Sequence, residues 1–257
     1  MIKRIWNGFL MNLGMFTILP FVKNIWQEDA RIYVVRFLPL TGLLLGSLWW
    51  LLYRGMLLIA LPLPLQAVLL ALFLWLATGF LHLDGFMDTS DAILSQRDRA
   101  EKLRILKDPH TGAFAVISLA CLFSIQLVSV YVCLQSPLPF WLFFWIPFIS
   151  RLLTAITLLR YPALPTSNLA ASFQIGNGPW QATLLLFLLC ASPTIAYLLC
   201  GPLALLMLLL QTFFFFLPLQ NAVRQLGGIS GDLSGYALTI SETGALFSFA
   251  CLMHLFY

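Results

Sequence analysis

Gly112-Ala-Phe-Ala-Val-Ile-Ser-Leu-Ala-Cys-Leu-Phe-Ser-Ile-Gln-Leu-Val-Ser-Val-Tyr-Val-Cys-Leu134 runs its whole length without a charged side chain. A helix of about 20 apolar residues is what the hydrocarbon core of a bilayer demands. The same rule, applied outward along the chain, gives six more spans: Phe37–Leu61, Leu65–Leu83, Leu138–Leu159, Trp180–Leu199, Pro202–Val223 and Tyr236–Phe256. Hydrophobic residues make up 61% of the 257-residue chain and charged residues only 9%, with a mean hydropathy of +0.93. A water-facing surface cannot be covered with so few charges, which excludes a soluble globule. A membrane barrel needs alternating apolar and polar residues over about 10 positions, and these runs do not alternate. The expected fold is all-α, a polytopic integral membrane protein with about seven transmembrane helices. The five cysteines lie within or at the ends of apolar runs and make no Cys-x-x-Cys pair, so they read as small packing hydrophobes.

Basic residues in short loops mark the cytoplasmic side. Lys3, Arg4, Lys23, Arg31 and Arg36 precede the first span, Arg97, Arg99, Lys102, Arg104 and Lys107 follow the second, and Arg160 and Arg224 follow the fourth and end the sixth. The N terminus is therefore expected inside and the C terminus outside. The net charge of +4 follows from this topology and does not call for nucleic acid. Residues 5–20 are apolar but short, contain Asn7 and Asn12, and are flanked by basic residues on both sides. They read as a helix in the cytoplasmic interface or re-entrant within it, with a signal core or an eighth span as weaker readings. The chain 1–257 is thus taken as one membrane-embedded domain. It would have an N-terminal interfacial segment over 1–36, an acidic and basic cytoplasmic loop over 84–111, and a Gly-rich cytoplasmic loop over 225–235.

Nine of the ten acidic residues fall on the cytoplasmic side; Glu242, inside the last span, is the exception. The densest group is His82-Leu-Asp84-Gly-Phe-Met-Asp88-Thr-Ser-Asp91. At about 100° per residue, Asp88 and Asp91 fall within about 40° and 20° of Asp84, so a helix presents all three carboxylates on one face. Like charges at such spacing repel. A divalent cation would relieve them, and hard oxygen ligands one turn apart suit Mg²⁺ carrying substrate phosphates. A merely solvated acidic helix end, balanced by the basic run 97–107, is the plainer alternative. His82 could hydrogen-bond substrate or be an interface residue.

Two other stretches belong to the same face. Leu226-Gly-Gly-Ile-Ser-Gly-Asp-Leu-Ser-Gly235 places Asp232 in a glycine turn just before a helix, where backbone can approach closely and a helix N terminus favours anions. Arg151 lies inside a span, where a charge is costly and a functional candidate by default, and Arg160 ends that span.

These residues resemble the cobalamin synthase (adenosylcobinamide-GDP ribazoletransferase) family. The similarity rests on the His82–Asp91 segment, on Lys102-Leu-Arg-Ile-Leu-Lys-Asp108 with Gly112, on Phe37-Leu-Pro-Leu-Thr-Gly-Leu-Leu-Leu-Gly46, on Ser150-Arg151, and on the Gly227–Gly235 element. Ala92 and Thr239 depart from the family pattern, in which a glycine and a glutamate are common. The resemblance implies transfer of adenosylcobinamide-GDP onto α-ribazole or its 5′-phosphate, with release of GMP and with Mg²⁺ as cofactor, at the cytoplasmic (inner) membrane. It implies catalytic roles for His82, Asp84, Asp88 and Asp91, and metal ligation by Asp84, Asp88, Asp91 and Asp232. Lys107, Asp108, Arg151, Arg160, Gly227, Gly228 and Gly231 would bind substrate. Assembly with other enzymes of cobalamin biosynthesis is a further expectation. Asp84-Gly85 is not followed by the pattern of a CDP-alcohol phosphotransferase, and acids kept to one face argue against a cation-coupled transporter.

Overall fold

The computed structural model describes residues 2–19, 26–135, 138–165, 167–176 and 179–256. Its helices are α1 (Ile2–Phe16), α2 (Arg31–Val34), α3 (Leu38–Leu58), α4 (Leu63–Ala77), α5 (Leu81–Leu94), α6 (Arg99–Ile105) and α7 (Ala113–Cys133). They continue with α8 (Phe140–Arg160), α9 (Asn168–Gln174), α10 (Pro179–Cys200), α11 (Pro202–Leu226) and α12 (Gly231–Phe256). Among the described residues, the only extended pairing is an isolated parallel bridge between Ala163 and Ile229. Among the described residues, six helices are long and apolar enough to cross a membrane, the first formed by α2 and α3 together with the 3-10 turn Val35–Phe37 between them, and α4 with α5 would make a seventh. Large apolar side chains such as Phe187, Leu198 and Leu199 on α10 face outward, as lipid-facing residues should.

The second expected span, Leu65–Leu83, is not one helix. It breaks after Ala77, and α5 leaves at 88° to α4. Gly79 and Phe80 are both left-handed, with φ of 60° and 62°, and two such residues in succession cannot continue a right-handed helix. Hydropathy reads the side chains, which stay apolar across the break, and is blind to the backbone. The expected loop 84–111 is accordingly mostly helical, made of most of α5 and all of α6. The glycine loop is also shorter than 225–235, because α11 runs to Leu226 and α12 begins at Gly231.

The segment 1–36 is more than an interfacial strip. α1 buries Gly8, Met11, Asn12 and Leu13. Asn12 donates to the Val34 carbonyl at 2.7 Å and accepts from the Thr41 hydroxyl, which fastens α1 to α2 and α3. Lys23 lies outside the described residues.

The centre of the bundle is set by close helix crossings. Pro147 interrupts α8 and has no N–H to offer the Phe143 carbonyl one turn earlier. A methyl group on Gly46 would stand 2.5 Å from that carbonyl oxygen, and one on Gly42 would clash with the Pro147 carbonyl. Glycines four residues apart therefore let α3 lie directly against the α8 backbone, the small-residue packing that membrane helices rely on. α12 lies in the middle, packed against α5, α7, α8 and α11.

Candidate active site

Two glycines bring the acidic helix onto the start of α12. A methyl group on Gly85 would lie 2.8 Å from the Cα and carbonyl oxygen of Asp232, and one on Gly235 would lie 2.9 Å from the His82 carbonyl oxygen. α5 and α12 thus touch backbone to backbone, each through the other's glycine. The Thr239 hydroxyl donates to the His82 carbonyl at 3.2 Å and extends the contact. At the other end of α5, a methyl group on Gly112 would collide with both Asp91 carboxylate oxygens. The glycine after the basic helix therefore leaves the space that this carboxylate occupies.

The crossing assembles four carboxylates. Asp88 is half-buried and feels, besides the loss of water, the charges of Asp84, Asp232 and Asp91. Asp84 is exposed, and Asp91 and Asp232 are half-buried, so the group opens outward. The Ser230 hydroxyl lies 3.3 Å from Asp232 and accepts from the Leu233 amide at 3.3 Å, capping the first turn of α12. Among the described residues, no three His, Cys, Asp or Glu side chains converge into a ready-made metal cage. That still fits Mg²⁺, which is usually held by one or two carboxylates, waters and the phosphates of a substrate. The donor set is entirely hard oxygen, and its like charges have no basic side chain paired to them among the ion pairs of the described residues.

The remaining expected site residues fall in different places. His82 is 7% exposed, its Nε2 is buried without a hydrogen-bond partner among the described residues, and its ring stacks on Phe16 with centroids 6.1 Å apart. Arg151 is fully buried. It donates to Glu242 and Ser150, and to the Pro147 carbonyl at 3.3 Å, near the middle of α8. Arg160 and Lys107 are exposed. Asp108 receives the His110 amide at 3.0 Å and has the His110 ring 2.7 Å away, contacts that hold its carboxyl below the usual carboxylate range. Asp98 caps α6 by accepting from the Glu101 amide.

Of the three candidate phosphate-binding glycines, two have structural tasks. Gly227 takes a left-handed φ of 91° at the end of α11, and any side chain there would strike the Arg99 guanidinium. A methyl group on Gly228 would stand 2.9 Å from the Leu164 amide and the Pro162 carbonyl. Only Gly231 has open space over its Cα. Sequence reading counted Arg99 and Lys102 in the basic run without the contacts by which they tie the basic helix to the end of α11 and the glycine turn. Arg99 donates to the Leu226 carbonyl at 2.9 Å and Lys102 to the Gln225 side chain. It also missed that Arg151 and Glu242, each conspicuous alone as a charge within a span, are partners.

Comparison with known proteins identifies the family. The family profile described as cobalamin-5-phosphate synthase matches residues 8–250. The chain is 36% identical over 245 residues to an adenosylcobinamide-GDP ribazoletransferase of Clostridium perfringens, covering 95% of this chain and 98% of that one. It is also 36% identical to proteins of the same name from Clostridium botulinum, over 97% of this chain and 99% of that one, and from Geobacillus kaustophilus, over 98% of each. No solved structure matches. A match over residues 8–250, the stretch that holds the acidic helix, the buried arginine and the glycine turn, places the chain in the cobalamin-5-phosphate synthase family of membrane enzymes.

Proposed function

We propose that this protein joins adenosylcobinamide-GDP to α-ribazole, or to its 5′-phosphate, and releases GMP. A ribose hydroxyl oxygen forms a bond to the cobinamide-linked phosphorus. The bond from that phosphorus to the bridging oxygen breaks, and GMP leaves with the electron pair. The hydroxyl proton passes to a carboxylate of the Asp84, Asp88, Asp91 and Asp232 face. In such chemistry the protein mainly positions the reactants and meets developing charge. Mg²⁺ held by these aspartates would neutralise the diphosphate oxygens. Lys107 and Arg160, both exposed, and the open backbone at Gly231 would bind substrate phosphates. The observation that carries the reading is the four-carboxylate face, built by paired glycines in a chain that matches this family along nearly its whole length. Purified protein in lipid nanodiscs, given both substrates and Mg²⁺, should release GMP in one-to-one ratio with the corrinoid product. Reaction with a CDP-alcohol donor and none with adenosylcobinamide-GDP would contradict it.

The close α5–α12 contact gives a second test. Gly85→Ala forces a methyl group against the Asp232 backbone, so the helices must part and the carboxylates separate. The transfer rate should fall by about 10²-fold, the cost of an ångström-scale misplacement, while the protein still inserts and folds. A wild-type rate would show that the crossing does not set the site.

We further propose that the face lies on the cytoplasmic side of the inner membrane, with assembly alongside other enzymes of the same biosynthesis. The support for that sidedness is the concentration of basic residues in the loops beside the face. In a background lacking the native cysteines, Ser95→Cys should resist an impermeant thiol reagent added outside, and exposed Ile59→Cys in the α3–α4 turn should react. Ser136, which follows α7 in sequence and lies outside the described residues, is a second outside probe. Labelling of position 95 from outside would reverse the orientation.

A further inference from the structure

A cavity of about 220 Å³ opens beside the carboxylate face, between α1, α5, α8, α9 and α12. Its walls are chiefly apolar, with Phe16, Leu158, Ala170 and Phe173 among the lining residues together with His82 and Asp232. We infer that this cavity receives the apolar aromatic base of the acceptor nucleoside. The inference rests on the transferase reading and names which part of which substrate binds there.

Size makes the first selection. Pockets for whole drug-sized ligands run from about 300 to 1,000 Å³, so the cavity excludes a corrin macrocycle or an entire nucleotide but suits one bicyclic ring. Polarity makes the second. Guanine carries several donors and acceptors, and against walls of Phe, Leu and Ala they would lose their partners. The base of α-ribazole is a largely apolar bicycle with one free ring nitrogen. His82 lines the cavity, and its Nε2 is buried without a partner among the described residues. A buried polar atom left in this state calls for an explanation, and a turn of the ring into the cavity would let a ligand nitrogen supply one.

Position makes the third selection. Asp232 belongs both to the cavity wall and to the charges around Asp88. A nucleoside with its base in the cavity therefore carries its ribose toward the carboxylates, where the attacking hydroxyl is needed. The walls are fixed elements. α9 is held by Gln174, which donates to the Leu158 carbonyl at 2.9 Å and the Tyr161 carbonyl at 2.7 Å. Phe16 ends the docked α1, its ring stacked on His82.

The test is steady-state kinetics in nanodiscs, with each substrate varied in turn. Phe173→Ala removes an apolar wall, and Leu169→Trp narrows the exposed rim without touching the packed core. Both should raise the KM for α-ribazole by about 10-fold or more, the scale on which apolar pockets discriminate. The KM for adenosylcobinamide-GDP should stay within about twofold of wild type in both. Wild-type protein that forms no product from α-ribazole would refute the transferase reading itself. Wild-type turnover, combined with variants whose acceptor KM is unchanged or whose two KM values rise together, would overturn the cavity assignment alone and leave a lipid acyl chain as its occupant.

Discussion

Asp88→Asn is expected to lower the rate of GMP release by about 10²–10³-fold, the loss typical when one group that meets developing charge is removed. Asp88 stands at the centre of the acidic group, with Asp84, Asp232 and Asp91 as its charged neighbours. Asparagine keeps the shape and removes the charge. It also relieves repulsion around a half-buried carboxylate, so the variant should unfold at a temperature no lower than wild type. That combination, lower activity without lower stability, separates a functional cluster from a merely solvated helix end. Asp84→Asn and Asp91→Asn should follow the same pattern. The effect should be smaller for Asp232→Asn, whose carboxylate also has Ser230 as a hydrogen-bonding neighbour. Near-normal turnover in all four variants would move the reaction centre elsewhere.

The second large effect falls on stability. Arg151 and Glu242 form an ion pair, with exposures of only 2% and 4% for the two side chains, between the middles of α8 and α12. Ser150 donates to the same Glu242 oxygen at 2.7 Å. Removing one partner leaves a charge without compensation in a medium that cannot solvate it. Arg151→Met alone should therefore destabilise the fold by about 3–5 kcal/mol, whereas the double change Arg151→Met with Glu242→Leu should recover most of that loss. Thermal unfolding in detergent measures both. If the double variant is no more stable than the single one, Arg151 is held in place by something other than the pair, and a direct substrate role gains support.

These two sites differ in how far they were legible beforehand. The acidic face was readable because it is local: helical spacing alone puts Asp84, Asp88 and Asp91 together. Asp232 could be suggested only from the glycine turn, since its place depends on Gly85 lying against the Asp232 backbone and Gly235 against that of His82, contacts between residues about 150 apart in sequence. The ends of α7 and α8 fell close to the expected spans because hydropathy reports side-chain burial directly. The break at Gly79 and Phe80 did not register, because a left-handed backbone leaves no mark on hydropathy. Arg151 and Glu242 each stood out, but nothing in a single sequence indicates that two isolated charges are partners. The docking of α6 through Arg99 and Lys102 was hidden for the same reason, as these residues read as part of a solvated basic run. The cavity was hidden most completely, its walls coming from five helices.

The proposed role of the aspartate face of α5 and α12 is to hold the reacting diphosphate through a divalent cation. Mn²⁺ in place of Mg²⁺, titrated by electron paramagnetic resonance into protein with adenosylcobinamide-GDP and no acceptor, tests it without turnover. Wild-type protein should bind Mn²⁺ much more tightly with the donor than without it, because the phosphates complete the ligand set. Asp84→Asn and Asp88→Asn should lose that donor-dependent binding. Mn²⁺ binding that is equally strong in the wild type and in both variants would contradict the account.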